Sequence, residues 1–240
     1  MDKKDKKDNK NINKNANVKN TENEETMELD PEALEALIGG VPVAQSFNYT
    51  WLDSFDMEDL DERRLYINDN IGDEVITDIG YHILRYNRLD KDLKPEERKA
   101  ITLYINTDGG LLYSANSLIS LIENSITPVH TVNLGRCFSA GFLIFIAGKK
   151  RYSLDSAIYL LHEGQNGDIN ATGKYFDRAA FEKNVVEKKV KDYVLEKTAI
   201  TPKMYDKNYR TEWYMSAEKA MELSVCDYIV GENCTLDDIL

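Results

Sequence analysis

Three short apolar runs, each ending in a different kind of turn, constrain this chain most. Ile101-Thr102-Leu103-Tyr104-Ile105 ends at Asn106-Thr107-Asp108-Gly109-Gly110. The run Pro128 to Leu134 ends at Gly135-Arg136-Cys137-Phe138-Ser139-Ala140-Gly141, and Ile158-Tyr159-Leu160-Leu161 ends at His162. Runs of this length, rich in β-branched and aromatic residues, read as strands. Before and between them the spacing turns helical: Asp73 to Asn87 places Val75, Ile76, Ile79, Ile83 and Leu84 on one side, and about Ser114 to Asn124 forms a second helix. Strands alternating with helices at this spacing predict an α/β fold on a largely parallel sheet. Arg64-Leu65-Tyr66-Ile67 adds a strand in front. Behind, a helix from about Thr172 to Lys197 carries Phe176, Ala180, Val186, Val190 and Val194 on one side. Short helices start at Thr201-Pro202 and at Ser216-Ala217-Glu218, and Tyr228-Ile229-Val230 closes the sheet.

The flanks differ in character. Residues 1–27 are Lys, Asn, Asp and Glu with almost no large aliphatic side chain, too little apolar surface to offset the entropy of ordering, so a disordered arm is expected. Asp30-Pro31 reads as N-cap and first turn of a helix that Gly39-Gly40 stops. Residues 43–64, with an acidic cluster from Asp53 to Glu62, read as irregular. The expected organisation is an arm (1–27), an N-terminal helix with an irregular segment (28–60), one main domain (61–231) and a tail (232–240).

Composition excludes several function classes. A formal charge of −12 argues against nucleic-acid binding, which leaves a basic footprint. Three cysteines, Cys137, Cys226 and Cys234, without a CxxC pair, speak against a disulfide framework and a structural zinc, and for a reducing compartment. No apolar run reaches the length of a membrane span and no signal-like apolar region opens the chain, so a cytoplasmic protein without membrane contact is expected. Nothing calls for a metal or organic cofactor.

Three pieces have the chemistry of a serine nucleophile. Ser139 lies between apolar segments where a strand turns into a helix, a place that presents its hydroxyl. Serine needs a base, and imidazole titrates near working pH; His162 ends a strand and enters a Gly-rich loop. Gly109-Gly110, with no side chain in the way, and Ala140 offer backbone N–H groups for an oxyanion. Each has a plainer reading: Ser139 as a helix cap, Gly109-Gly110 as a simple turn, and His82 and His130 as packed side chains.

Four stretches together resemble the ClpP family, the proteolytic subunits of ATP-dependent Clp proteases. Leu103 to Gly110 is similar to the family's LYINSPGG, Arg136 to Phe142 to its AASMGAF nucleophile turn, and Tyr159 to Glu163 to its histidine strand. Tyr214-Met215-Ser216-Ala217-Glu218-Lys219-Ala220 with Asp227-Tyr228-Ile229 is similar to its FMSAEEA…DKI ending. The likeness runs from about Asp61 to Val230, in the family's order and spacing. It implies a ClpP/crotonase-like spiral of β-β-α units, with the Thr172 helix as a protruding handle and the Gly164–Gly167 segment as the strand where substrate and opposite ring meet. It implies a serine endopeptidase subunit with Ser139 as nucleophile, His162 as general base and the N–H groups of Gly110 and Ala140 as oxyanion hole. It also implies a homo-oligomer of stacked heptameric rings, fed with peptide or unfolded protein by an AAA+ unfoldase.

The pattern departs from the family at its third residue. The family's Asp lies eight positions before the Ser of FMSA, and counting back from Ser216 gives Asn208, with Asp206 two residues away as the alternative. An Asn carbonyl can hold the imidazole tautomer but carries no charge to stabilise an imidazolium, which implies a weak or conditional enzyme. His162-Glu163-Gly164 stands where the family has His-Gln-Pro, and Phe138 replaces a small residue beside the nucleophile. Two other readings stay open. One is a ring subunit that keeps the fold without useful catalysis. The other is a crotonase-type acyl-CoA enzyme, which shares the architecture and an oxyanion hole of two N–H groups but needs neither Ser139 nor His162.

Overall fold

The apolar runs become the central strands of one sheet in the computed structural model, which describes residues 51–164 and 173–240. The chain divides into two compact units, residues 1–55 and 56–240, and the second holds all seven described strands. In chain order these are β1 (Arg64–Ile67), β2 (Ile101–Thr107), β3 (Val129–Phe138), β4 (Arg151–Ser153), β5 (Ile158–Leu161), β6 (Trp213–Ser216) and β7 (Tyr228–Ile229). The helices are α1 (Trp51–Asp61), α2 (Tyr81–Asp90), α3 (Leu112–Glu123), α4 (Ala140–Phe145), α5 (Gly173–Phe181), α6 (Glu187–Lys197), α7 (Pro202–Asn208) and α8 (Ala217–Glu222). A π-helical turn, Ile76–Gly80, leads into α2, and another, Glu182–Val186, joins α5 to α6.

Strands β1, β2, β3, β4 and β7 lie side by side and parallel. β2 is buried almost throughout, as expected for a central parallel strand covered on both faces. Ile101, Leu103 and Ile105 are fully buried and join a core with Leu118, Phe142 and Phe145, where truncating one such side chain typically costs about 2–5 kcal/mol.

β3 is long enough to serve two partners. Thr131 to Asn133 pair with β4, whereas Arg136 to Phe138 pair with β5, so the sheet forks around Leu134-Gly135. The second prong carries β6, which runs antiparallel to β5. This fork brings the end of β3 beside the end of β5, and the site forms there.

The α/β class and the parallel sheet agree with the sequence-based expectation. Several boundaries do not. The segment read as irregular contains α1; its acidic cluster conceals a helix whose Leu60 packs on the core and accepts a hydrogen bond from Tyr86 Oη (2.7 Å). β3 extends past Leu134 to Phe138 because β5 supplies a register for its last residues. β4 and β6 are additional strands, with no aliphatic β-branched residue to mark them. The arm at 1–27, the helix expected after Asp30-Pro31 and all of the Gly164–Gly167 segment but Gly164 lie outside the described residues. No described helix is long and apolar enough to cross a membrane.

Candidate active site

Ser139 occupies the turn between β3 and α4 with φ 54° and ψ −119°, a conformation that L-residues rarely adopt. Its N–H donates to Leu160 O (2.9 Å) on β5, and its own carbonyl accepts from Phe142 N (3.1 Å). The side chain makes no capping hydrogen bond, which removes the plain reading of Ser139 as a helix cap. All six residues of α4 are buried, so the turn rests on a rigid base.

The loop after β2 is built against this turn. Thr107 Oγ1 donates to Asp69 O (2.6 Å) and accepts from Gly109 N (3.0 Å). Ile71 bridges the loop, its N–H donating to Gly109 O (2.8 Å) and its carbonyl accepting from Leu111 N (2.7 Å). Gly109 (φ 103°) and Gly110 (φ 150°) are obligatory here. A β-carbon on Gly109 would stand 2.7 Å from Phe138 O, and one on Gly110 2.2 Å from Ile71 O. Among the described residues no group accepts a hydrogen bond from the N–H of Gly110 or of Ala140.

His162 follows β5 directly, with its side chain mostly buried. Its Nδ1 lies 2.9 Å from Glu212 Oε1. Ser139, His162, Gly110 and Ala140 all line one cavity of about 250 Å³, whose apolar wall includes Leu143 and, from the helical stretch that ends in α6, Val186 and Val190. Glu182 at its edge accepts from Tyr113 Oη (3.3 Å) and Arg178 Nε (3.2 Å). Ser139 Oγ makes no hydrogen bond to a described residue. In sites without substrate the nucleophile–base contact is often long, and it tightens on binding.

The structure thus brings four of the expected site residues to one cavity. It does not bring Asn208 or Asp206 to the imidazole. Asn208 ends α7 and spends its amide on Met204 O (2.8 Å), while Asp206 faces Lys191 Nζ (2.5 Å). The carboxylate at His162 is that of Glu212, which motif counting missed. His82 and His130 pack elsewhere, against Tyr86 and Tyr152, and burial pushes both imidazoles toward the neutral form. Among the described residues no group of three or more His, Cys, Asp or Glu side chains is placed to hold a metal ion.

The chain has counterparts among known proteins. A family model for Clp protease matches residues 49–233. Among solved structures, an Asn-to-Asp mutant of ClpP1 from Listeria monocytogenes is similar with a TM-score of 0.63 and 21% sequence identity, covering 73% of this chain and 95% of that one.

Proposed function

Because the chain belongs to the Clp protease family, we propose that it is a serine endopeptidase subunit in which Ser139 attacks the scissile peptide carbonyl and His162 is the general base. The observation that carries this reading is the Ser139 turn: a non-glycine residue held at φ 54° with an uncommitted hydroxyl, in one cavity with a strand-end imidazole. Strain of this kind persists only where surrounding structure over-determines it.

In this mechanism the Ser139 hydroxyl proton passes to His162 Nε2 as Oγ bonds to the carbonyl carbon. The N–H groups of Gly110 and Ala140 take up the charge that develops on the carbonyl oxygen. Collapse of the tetrahedral species breaks the C–N bond, and His162 returns the proton to the leaving amine. Water, deprotonated by the same imidazole, then releases the acyl group from Ser139. The apolar wall of Leu143, Val186 and Val190 suits one side chain of an extended peptide. As a Clp-type subunit it would assemble into stacked rings in the cytoplasm and receive unfolded chains from an AAA+ partner, with no metal or organic cofactor in the chemistry.

A second reading, a ring subunit without useful catalysis, is favoured by one observation, the absence of a hydrogen bond from Ser139 Oγ to His162. A fluorophosphonate probe followed by mass spectrometry separates the two, with Ser139→Ala as control. Labelling at Ser139 is expected. A fully assembled protein that stays unlabelled would replace the peptidase reading with the scaffold.

A further inference from the structure

Resting on the serine peptidase reading and deepening it, we propose that Glu212 is the positioning residue of His162, in place of the Asn208 to which the family pattern points. The contact follows from sheet register. β5 and β6 are antiparallel, with Ile158 opposite Ser216, Leu160 opposite Tyr214 and Leu161 opposite Trp213. One step further along the same ladder, His162 stands opposite Glu212. Directly opposed residues keep their β-carbons about 4.5–5.5 Å apart, within reach of a carboxylate and an imidazole. The observed Nδ1 to Oε1 distance is 2.9 Å.

An ionised carboxylate only accepts, so the ring hydrogen resides on Nδ1 and the Nε2 lone pair is left for the Ser139 proton. β6 is anchored to the nucleophile as well. Met215 is buried in the core, and Tyr214 packs edge-on against Phe138, the residue before Ser139, with ring centroids 5.8 Å apart. One short strand therefore sets the imidazole and braces the serine turn. The rivals are engaged elsewhere: the Asn208 amide closes its own helix on Met204 O, and the Asp206 carboxylate faces Lys191.

The pair is lopsided in exposure, 18% for the His162 side chain and 54% for that of Glu212. Water and salt reach the carboxylate, which makes its hold on the ring weaker than that of a buried acid and sensitive to ionic strength.

The test measures the rate of fluorophosphonate labelling at Ser139 in assembled wild type, Glu212→Gln, Glu212→Asp and Asn208→Ala. Imidazole ¹⁵N spectra of His162 are recorded alongside, because they report which ring nitrogen bears the hydrogen. A Gln amide offers a donor as well as an acceptor, so it no longer fixes the hydrogen on Nδ1 and lets it move to Nε2. Glu212→Gln is therefore expected to change the tautomer and to slow labelling about 10–100-fold, less than the ~10⁴ seen when a buried triad acid becomes an amide. Glu212→Asp restores part of the rate, and Asn208→Ala leaves rate and tautomer within about twofold of wild type, as for a side chain outside the site. Wild-type labelling and tautomer in Glu212→Gln, or collapse of both in Asn208→Ala, would overturn the assignment. If wild type itself is not labelled, the peptidase reading fails, and the tautomer in Glu212→Gln alone decides whether Glu212 positions the ring.

Discussion

The Ser139 N–H donates to Leu160 O at 2.9 Å, which ties the Ser139 turn to the strand that delivers His162 two residues later. Ser139 and His162 are thus linked through one hydrogen bond between neighbouring strand ends. The same bond helps to hold Ser139 at φ 54°, ψ −119°, a conformation that costs a non-glycine residue of order 1–3 kcal/mol.

That strain is measurable. Ser139→Gly removes the β-carbon responsible for it, and Ser139→Ala keeps it. Glycine is expected to gain about 1 kcal/mol over alanine in urea unfolding, the reverse of their usual order in an ordinary turn or helix. Neither variant labels with a fluorophosphonate. Equal stabilities for the two would show that the turn stores no strain.

Gly109→Ala tests the facing loop. The added methyl meets Phe138 O at 2.7 Å and Ser139 Cβ at 2.8 Å, and the backbone sits at φ 103°. The contacts are backbone and turn atoms that cannot swing aside, so the loop and the nucleophile turn must separate. A loss of at least tenfold in Ser139 labelling is expected, with a stability cost of about 1–3 kcal/mol. A variant with wild-type labelling would mean that the nucleophile turn tolerates displacement of this loop.

How legible all this was in the sequence depended on how apolar and continuous each run is. The runs at 101–105, 129–134 and 158–161 announce buried strands because each is continuous and ends in a turn signal, and the helices before and between them repeat long enough to show a period. β4 and β6, Arg151-Tyr152-Ser153 and Trp213-Tyr214-Met215-Ser216, are as short as β1 or β5 but carry no aliphatic β-branched residue to mark them; only pairing with a neighbour makes them strands. Ser139, His162, Gly110 and Ala140 stood out because each sits at a strand end or turn. Glu212 did not, since an isolated carboxylate before a short strand looks like surface charge. Reading 213–216 as antiparallel to 158–161 would have exposed it. Counting along a motif led instead to Asn208, since motif spacing records chain distance and not which side chain faces the ring.

Asn208→Asp follows from that distinction. Its amide donates to Met204 O within the last turn of α7, and a carboxylate has no hydrogen to give there. An added negative charge at a helix C-terminus also opposes the dipole. The variant is expected to lose about 0.5–1.5 kcal/mol in thermal or urea unfolding while peptide hydrolysis stays within about twofold. A large rise in kcat/KM would instead place position 208 in the catalytic machinery.

The cysteines predict a reactivity pattern. Burial pushes the thiols of Cys137 and Cys226 up, the latter to about 12, and both are closed to solvent. Cys234 is only partly covered, although burial and the nearby Asp238 raise it too. Iodoacetamide at pH 8 should modify Cys234 slowly and leave the other two intact until the protein unfolds. Early modification of Cys137, two residues from Ser139, would show that the turn opens on its own.

Stability should be acid-sensitive through a pair far from the site. Asp90 is buried and bound by both terminal guanidinium nitrogens of Arg63 (2.6 and 2.7 Å) and by Thr127 Oγ1 (2.7 Å). The Arg63 hydrogen bonds hold its carboxyl below the usual range against the opposing effect of burial. A depressed folded-state value means that the stabilisation is fully present above the unfolded-chain value of about 3.9 and is lost as pH falls through the lower folded value. Asp90→Asn leaves Arg63 with the Asn carbonyl and Lys99 O (2.8 Å) as acceptors but without a counter-charge, and is expected to cost about 3 kcal/mol near neutral pH. Urea unfolding at pH 7 and at successively lower pH should show the gap between wild type and variant closing as wild-type Asp90 takes up its proton. A gap that stays constant down to pH 3 would assign the loss to packing rather than to the charge.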